Sequence, residues 1–149
     1  LEWALVAVSK IHACDYCVAH HAPFLTVEGV TPAGAENILQ YEDHPEFDDI
    51  DKLVVEYSIE VTSNFHRVRD QLFDRLRSHF SEEQIVELTW RIALCGAFNR
   101  FNDVLQLDIE EEALAKIAWK NANIRNLHHP LGSILFCTFD AGGTCWVKL

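Results

Sequence analysis

The chain has no methionine and few of the residues that interrupt helices, with six glycines and four prolines among its 149 residues. It also lacks any apolar run close to the roughly 18 residues that a membrane-spanning helix needs. No basic segment followed by an apolar stretch stands at its start, so we find no secretory signal. We therefore expect no membrane partner. The missing methionine leads us to expect that the natural beginning is not included.

Positive charge is scarce as well. The sequence has 12 Lys and Arg residues and 23 Asp and Glu residues, which gives a formal net charge of −11. Binding to a phosphate backbone needs clustered Lys and Arg, and so nucleic acid is excluded as an expected partner. The densest acidic stretches, residues 42–51 and 110–112, are interpreted as solvated faces.

The length and hydrophobic content of the chain indicate a single globular domain. A chain of this length can bury one substantial core, and 49% of its residues are hydrophobic. Five cysteines is an odd number, which favours a reducing compartment over a disulfide-stapled secreted domain. We therefore expect a cytoplasmic protein.

Helical spacing of apolar residues dominates the first three quarters of the chain and predicts an all-α fold, a compact helical bundle. Helices are expected over residues 1–11 and 15–26, and another begins at Thr31 as N-cap with Pro32 in its first position. Two further helices follow from apolar stripes, which comprise Ile50, Leu53, Val54, Tyr57 and Val61 in the first and Val68, Leu72, Phe73 and Leu76 in the second.

The longest predicted helix opens with "SEEQ" at residues 81–84, which is typical of a capping box. Gly96 within it allows close helix packing, and a last helix is expected over about residues 111–123. The apolar positions of the long helix keep the helical period: Ile85, Leu88, Ile92, Cys95 and Phe98.

The C-terminal end has a different character. "SILFCTFDAGGTCWVKL" contains two β-favouring runs on either side of "DAGG", which predicts either a short hairpin or a loose tail. In a hairpin, Cys137 and Cys145 could face each other. We therefore divide the chain into a helical domain, residues 1–126, and a C-terminal tail, residues 127–149.

The stretch "HACDYCVAHH", residues 12–21, is the strongest candidate site. If Cys14 begins the second helix, then Cys14, Cys17 and His21 lie one turn apart on the same face. The positive end of a helix stabilises a thiolate and lowers the pKa of a cysteine there. Two sulfurs at this spacing can form a disulfide, and a neutral histidine one turn further on can relay a proton.

Two other interpretations of this stretch remain open. The first is a structural zinc site, with His12, His20 or Cys95 as a fourth ligand, although the chain lacks the second short-spaced ligand pair of such sites. The second is a pair of inert buried cysteines. A c-type haem motif is excluded because Val18 follows Cys17.

Glu2, Cys14, Cys17 and His21 form the pattern E-x11-C-x-x-C-x-x-x-H. This pattern resembles the alkylhydroperoxidase D-like branch of the carboxymuconolactone decarboxylase family, an all-helical group. "ELTWRIALCGAFNRFND" is also similar to the long helix of that family. The resemblance covers about residues 1–126.

The resemblance implies a thiol-dependent peroxidase that reduces hydroperoxides without a cofactor or metal. Cys17 would be the attacking thiol and Cys14 the resolving thiol, while Glu2 and His21 would form a proton relay. A dithiol or lipoyl-bearing protein would be the reductant, and the chain would form a homo-oligomer. The alternatives are a cofactor-free lactone decarboxylase of the same family, whose members lack the paired cysteines, and a zinc-stabilised domain that is not an enzyme.

Three points stay open in the sequence. The first is which cysteine is the thiolate. The helix dipole favours Cys14, but we favour Cys17, because His21 is its i+4 neighbour. On one straight helix Glu2 would lie about 18 Å from Cys14, so the relay requires a bend near residues 12–13 or a neighbouring subunit. Tyr16 stands where some family members carry a histidine between the cysteines.

Overall fold

A computed structural model describes residues 1–111 and Ala113, together with the backbone of two short C-terminal strands. Within this part of the chain no helix has the length and apolarity to cross a bilayer. The elements run in the order α1 Glu2–Ile11, α2 Asp15–Val27, α3 Pro32–Glu36, α4 Asp49–Ser63, α5 Asp70–Arg77, α6 Glu82–Leu105, β1 Phe136–Phe139 and β2 Cys145–Lys148.

Helix α1 lies at the centre of the fold. Every residue from Trp3 to Ser9 is buried, so this helix has no solvated face and is covered on all sides. Helices α2, α4 and α6 pack directly on it, and the ring of Trp3 meets that of Phe47 edge-on at 4.5 Å between centroids. The predicted all-α fold is confirmed, with the core built around the helix that carries Glu2.

Side-chain caps fix the starts of several helices. Thr31 caps α3 with Pro32 in the first turn, and Ser81 begins α6 through a capping box, both as predicted. A second capping box begins α4 and was not predicted: the carboxylates of Asp48 and Asp51 each accept from the backbone N–H of the other residue. These caps satisfy amide groups that would otherwise lack partners at a helix start.

Three positions of the predicted apolar stripes were wrong. Ile50 is 42% exposed in the first turn of α4, so the buried stripe of that helix starts one turn later at Leu53. Val68 precedes α5 and is not part of that helix. Phe98 is half-buried, and Asn99 takes the inward position because its side chain bonds to buried polar groups on α1.

The two β-favouring runs of the tail form an antiparallel pair, β1 with β2. Cys137 lies opposite Val147, and Cys145 lies opposite Phe139. The expectation that Cys137 and Cys145 face each other was therefore wrong. In this register Cys145 lies two residues before Val147, the residue opposite Cys137. The predicted helix over residues 111–123 and the division after residue 126 lie outside the described residues.

Candidate active site

The connection between α1 and α2 is a tight left-handed turn. Ala13 has a φ of +54°, its N–H bonds to the carbonyl of Lys10, and the N–H of Cys14 bonds to the carbonyl of Ser9. These two bonds define a Schellman turn, in which the left-handed position is usually glycine. An alanine there is strained, at a cost of about 1 kcal/mol or more. The turn ends α1 and makes Cys14 the N-cap of α2.

This reversal of the chain brings Glu2 to His21. Oε2 of Glu2 lies 3.0 Å from Nδ1 of His21, and both side chains are about three-quarters buried. The sequence left open whether a bend in the chain or a neighbouring subunit brings Glu2 to the site. The bend is sufficient, and no neighbouring subunit is needed to supply Glu2. An Nδ1–H that donates to the carboxylate leaves Nε2 of His21 able to accept a proton.

The sulfurs of Cys14 and Cys17 lie 2.8 Å apart, and both residues are free thiols. Cys14 is fully buried, and Cys17 is only 5% exposed. The thiol of Cys14 donates its hydrogen to the sulfur of Cys17. A shift of less than about 1 Å would bring the two sulfurs to the length of a disulfide bond.

Four neighbours favour a thiolate at Cys17. The hydrogen bond from Cys14 has the largest effect, and the amides of Asn99 and Asn102 and the charge of His21 add to it, so that the pKa of Cys17 falls to about 6. Burial acts in the opposite direction. Nδ2 of Asn102 donates directly to the sulfur over 3.2 Å. These contacts stabilise the charged form more than burial destabilises it.

Cys14 shows the opposite behaviour, although it stands at the helix start. The hydrogen bond to the Cys17 sulfur and the burial of Cys14 raise its pKa well above the usual range. A thiol that donates to a neighbouring thiolate keeps its own proton. The effect of these contacts therefore exceeds that of the helix dipole, and the two sulfurs are chemically distinct.

A buried polar network lies beside the cysteine pair. Asn99 donates to Oγ of Ser9 over 3.2 Å and accepts from Nδ1 of His12 over 3.0 Å. Cys95 contacts both Ser9 and Asn99, and its pKa is raised to about 11, mainly by burial. A thiol with so high a pKa stays protonated, which separates Cys95 chemically from Cys17.

Tyr16, the residue between the cysteines, points to a different partner. Its hydroxyl donates to Oε1 of Glu110 over 3.1 Å, while Oε2 of Glu110 lies 3.0 Å from Nε2 of His20. The rings of Tyr16 and His20 also contact each other at 4.3 Å between centroids. The segment after α6 is thereby tied to the start of α2.

The ligand set considered for zinc is not assembled in the described part of the chain. No group of three or more His, Cys, Asp or Glu side chains there is arranged to hold a metal ion. His12 pairs with Asn99, His20 with Glu110 and His21 with Glu2. Each candidate histidine thus has another partner.

The sequence interpretation missed the two asparagines of α6 and Glu110. A signal for the asparagines was present, because Ile92, Cys95, Asn99 and Asn102 continue one helical stripe at spacings of three and four. An amide at an expected core position needs a buried partner. No comparable signal marked Glu110, which belongs to an acidic run interpreted as solvated.

No family model matches the chain. A relative in sequence is the uncharacterised protein YdfG of Bacillus subtilis (strain 168), which is 26% identical over 102 residues, or 68% of this chain and 69% of YdfG.

Three solved structures are similar in fold. ATU0492 from Agrobacterium tumefaciens, a protein of unknown function with a suggested antioxidant-defence role as AhpD, matches with a TM-score of 0.66 and 22% identity over 73% of this chain and 75% of its own. The alkylhydroperoxidase AhpD core of an uncharacterised peroxidase-related protein from Ralstonia eutropha JMP134 matches with a TM-score of 0.67 and 24% identity over 75% and 60%. The debrominase Bmp8 matches with a TM-score of 0.63 and 22% identity over 78% and 63%.

The described helices thus have the fold of AhpD-like proteins, which is consistent with the resemblance to the alkylhydroperoxidase D-like branch. The chain spans less than two thirds of the length of the Ralstonia and debrominase chains. One of these neighbours, the debrominase Bmp8, is named as an enzyme.

Proposed function

We propose that this protein is a thiol-dependent peroxidase in which Cys17 attacks a hydroperoxide and Cys14 resolves the product. One observation carries the proposal: two free thiols 2.8 Å apart, of which Cys17 has the lowered pKa. The Glu2–His21 pair beside them supports a role in proton transfer. Paired thiols of unequal pKa suit a cycle in which one sulfur attacks and the other condenses.

In the first step the Cys17 thiolate attacks the outer oxygen of the hydroperoxide. The O–O bond breaks, the sulfur becomes a sulfenic acid, and the other oxygen leaves as an alkoxide. His21, which accepts the Cys17 proton at Nε2 before the attack, returns that proton to the alkoxide to give an alcohol. Glu2 holds the Nδ1–H of His21 and stabilises the imidazolium between the two transfers.

In the second step the thiol of Cys14 attacks the sulfenic sulfur of Cys17. A disulfide forms, and the hydroxyl of the sulfenic acid leaves with the Cys14 proton as water. A dithiol, either a small molecule or a lipoyl-bearing protein, then reduces the disulfide by exchange and is itself oxidised to a disulfide. The proposed cycle therefore needs no cofactor or metal.

The test is peroxide consumption by the purified full chain with dihydrolipoamide as reductant. We expect turnover in the wild type, a Cys14–Cys17 disulfide by mass spectrometry after one equivalent of hydroperoxide, and no turnover in Cys17→Ser. Given one equivalent of hydroperoxide, Cys14→Ser should accumulate the sulfenic acid in place of the disulfide. Cys95→Ser is the matched control and should retain activity.

Two outcomes would contradict the proposal. Wild-type thiols that stay reduced in excess hydroperoxide would rule out a peroxidase. An activity on carboxylated lactones that survives in both Cys14→Ser and Cys17→Ser would instead identify a cofactor-free decarboxylase of the related type.

The fold similarity to the debrominase Bmp8 suggests a second candidate, reductive debromination by the same thiols. A Cys17 thiolate would take bromine from carbon, a proton would replace it there, and Cys14 would then displace bromide to form the disulfide. Release of bromide from 2,3,4-tribromopyrrole, the compound bound to a Bmp8 variant in another solved structure, measures this reaction directly. Bromide release without peroxide turnover would favour the second candidate.

A further inference from the structure

A cavity of about 600 Å³ lies between α4, α5 and α6, with His12 in its lining. Its volume falls within the range of ordinary small-molecule sites. Neither sulfur of the pair lines it, so the proposed peroxidase chemistry makes no use of it. Its ligand must therefore be inferred from the residues that line it.

The charge of these walls is unusual for this chain. Acidic residues outnumber Lys and Arg by 23 to 12 in the sequence, yet no Asp or Glu lines the cavity, whereas Arg100, His12 and His66 do. Nη1 of Arg100 donates to the carbonyl of Gly96 over 3.0 Å, and no carboxylate among the described residues pairs with Arg100. A guanidinium has five N–H donors, so Arg100, an exposed residue that lines the cavity, keeps donors available for an anion at the mouth. A cleft lined by one sign of charge attracts the opposite sign.

The other lining residues are apolar or already have hydrogen-bond partners. The hydroxyl of Tyr57 pairs with Thr89 at 2.6 Å, and Thr62 donates to a backbone carbonyl of its own helix. Hydrocarbon side chains form the rest of the lining, chiefly Val61, Val68, Phe73 and Ile92. Phe65 stands at the edge with 73% of its surface exposed, which an apolar ligand would cover.

Gly96 keeps the floor of the cavity open. A Cβ at this position would meet Cε1 of His12 at 3.1 Å, so the imidazole would have to shift by a few tenths of an ångström. His12 also donates from Nδ1 to Asn99, which neighbours Cys17. The cavity and the thiol pair are therefore separated by only two side chains.

We propose that this cavity binds a small amphipathic anion, with an apolar body against α4 and α5 and a carboxylate held by Arg100. This inference is independent of the proposed peroxidase activity.

The test is calorimetric titration of the full chain with octanoate, octanamide and acetate. Octanoate should bind about tenfold or more tightly than octanamide, which lacks the charge, and acetate, which lacks the apolar body. Arg100→Gln should weaken octanoate binding about tenfold and leave octanamide unchanged. Lys10→Gln, which removes the same charge from a residue that pairs with Glu36 and does not line the cavity, is the matched control and should change neither.

Two further variants separate this inference from the proposed function. Val61→Phe should fill the apolar end and weaken octanoate and octanamide alike, while Cys17→Ser should bind octanoate as the wild type does. Equal affinity for octanoate and octanamide, or an octanoate affinity unchanged in Arg100→Gln, would overturn the proposal. Because binding is measured directly, neither result depends on peroxide turnover.

Discussion

The side-chain amide of Asn102 donates a hydrogen bond to the sulfur of Cys17 over 3.2 Å, across 85 residues of sequence. Both residues are buried, so water does not compete for this contact. The bond stabilises the thiolate more than the thiol. It is the most direct link between the long helix α6 and the proposed chemistry.

Asn102→Leu should raise the pKa of Cys17 by about one unit, since a hydrogen bond to a charged group is worth roughly 1.5 kcal/mol or more. The rate of iodoacetamide alkylation as a function of pH measures this pKa. Asn37→Leu, on the exposed end of α3, is the control and should leave it unchanged. A Cys17 pKa that is the same in Asn102→Leu and the wild type would disprove the assignment.

Glu2→Gln should lower the rate of peroxide reduction about tenfold, because the amide still accepts from Nδ1 of His21 but no longer stabilises the imidazolium. Glu2→Leu should lower it further, since the acceptor is also lost. Steady-state kinetics from pH 5 to 9 are the measurement. Glu36→Gln, which removes a surface carboxylate paired with Lys10, should match the wild type. Equal rates in all four proteins would leave Glu2 without a role in proton transfer.

Stability should depend on pH through Cys17. Its pKa is lowered in the folded state to about 6, so between this value and the unfolded pKa the unfolded state holds more protons, and the free energy of unfolding rises with pH. The contribution is complete above the unfolded pKa and is lost as pH falls through about 6. At still higher pH the raised pKa of Cys14 reverses the trend.

Urea denaturation under reducing conditions at pH 5.5, 7 and 8.5 checks this dependence. The difference in unfolding free energy between wild type and Cys17→Ser should grow with pH, by at most about 1.4 kcal/mol per pH unit. Cys95→Ser controls for the loss of a buried thiol. A difference that stays constant with pH would contradict the lowered pKa.

Ala13→Gly should stabilise the protein by about 1 kcal/mol, because glycine adopts a φ of +54° without steric cost. Gln106→Gly is the matched variant, since Gln106 has a φ of +51° at the end of α6 and its turn forms the same pattern of bonds. Chemical denaturation measures both. A loss of stability in both variants would show that the larger unfolded-state entropy of glycine exceeds the strain.

Homo-oligomer formation stays a prediction, and α6 offers a surface for it. One exposed apolar stripe runs along this helix: Val86, Trp90, Ala93, Ala97, Phe101 and Val104. We expect Trp90→Glu to reduce the assembly mass measured by light scattering, whereas Val27→Glu, at an exposed position on α2, should not. A wild type that is monomeric at all concentrations would remove this expectation.

Much of the fold follows from local signals in the sequence. Thr31 with Pro32 and Ser81 with Gln84 are helix-start patterns whose energetics lie within one turn, and the structure has both. A bend near residues 12–13 was one of the two routes by which Glu2 could approach the cysteines, and the structure has this bend. Its form was not predictable, since a Schellman turn usually has glycine where this chain has Ala13.

The surroundings of the two sulfurs depend on long-range packing, which explains why sequence reasoning found them only in part. The spacing of Cys14, Cys17 and His21 on one helix is local and could be predicted. The contact of Asn102 with Cys17 requires the docking of α6 against α2, which periodicity does not specify. Glu110 was misinterpreted for the same reason, since its partners Tyr16 and His20 lie some 90 residues earlier.

The burial of the sulfur pair bears on how the protein would withstand an excess of its own substrate. A sulfenic acid at Cys17 would form with the Cys14 thiol already in contact, inside a region that little solvent reaches. Condensation would then precede the arrival of a second peroxide molecule, and the irreversible sulfinic and sulfonic forms would be rare. We therefore expect the chain to resist inactivation by hyperoxidation, and this resistance to disappear once Cys14 is removed.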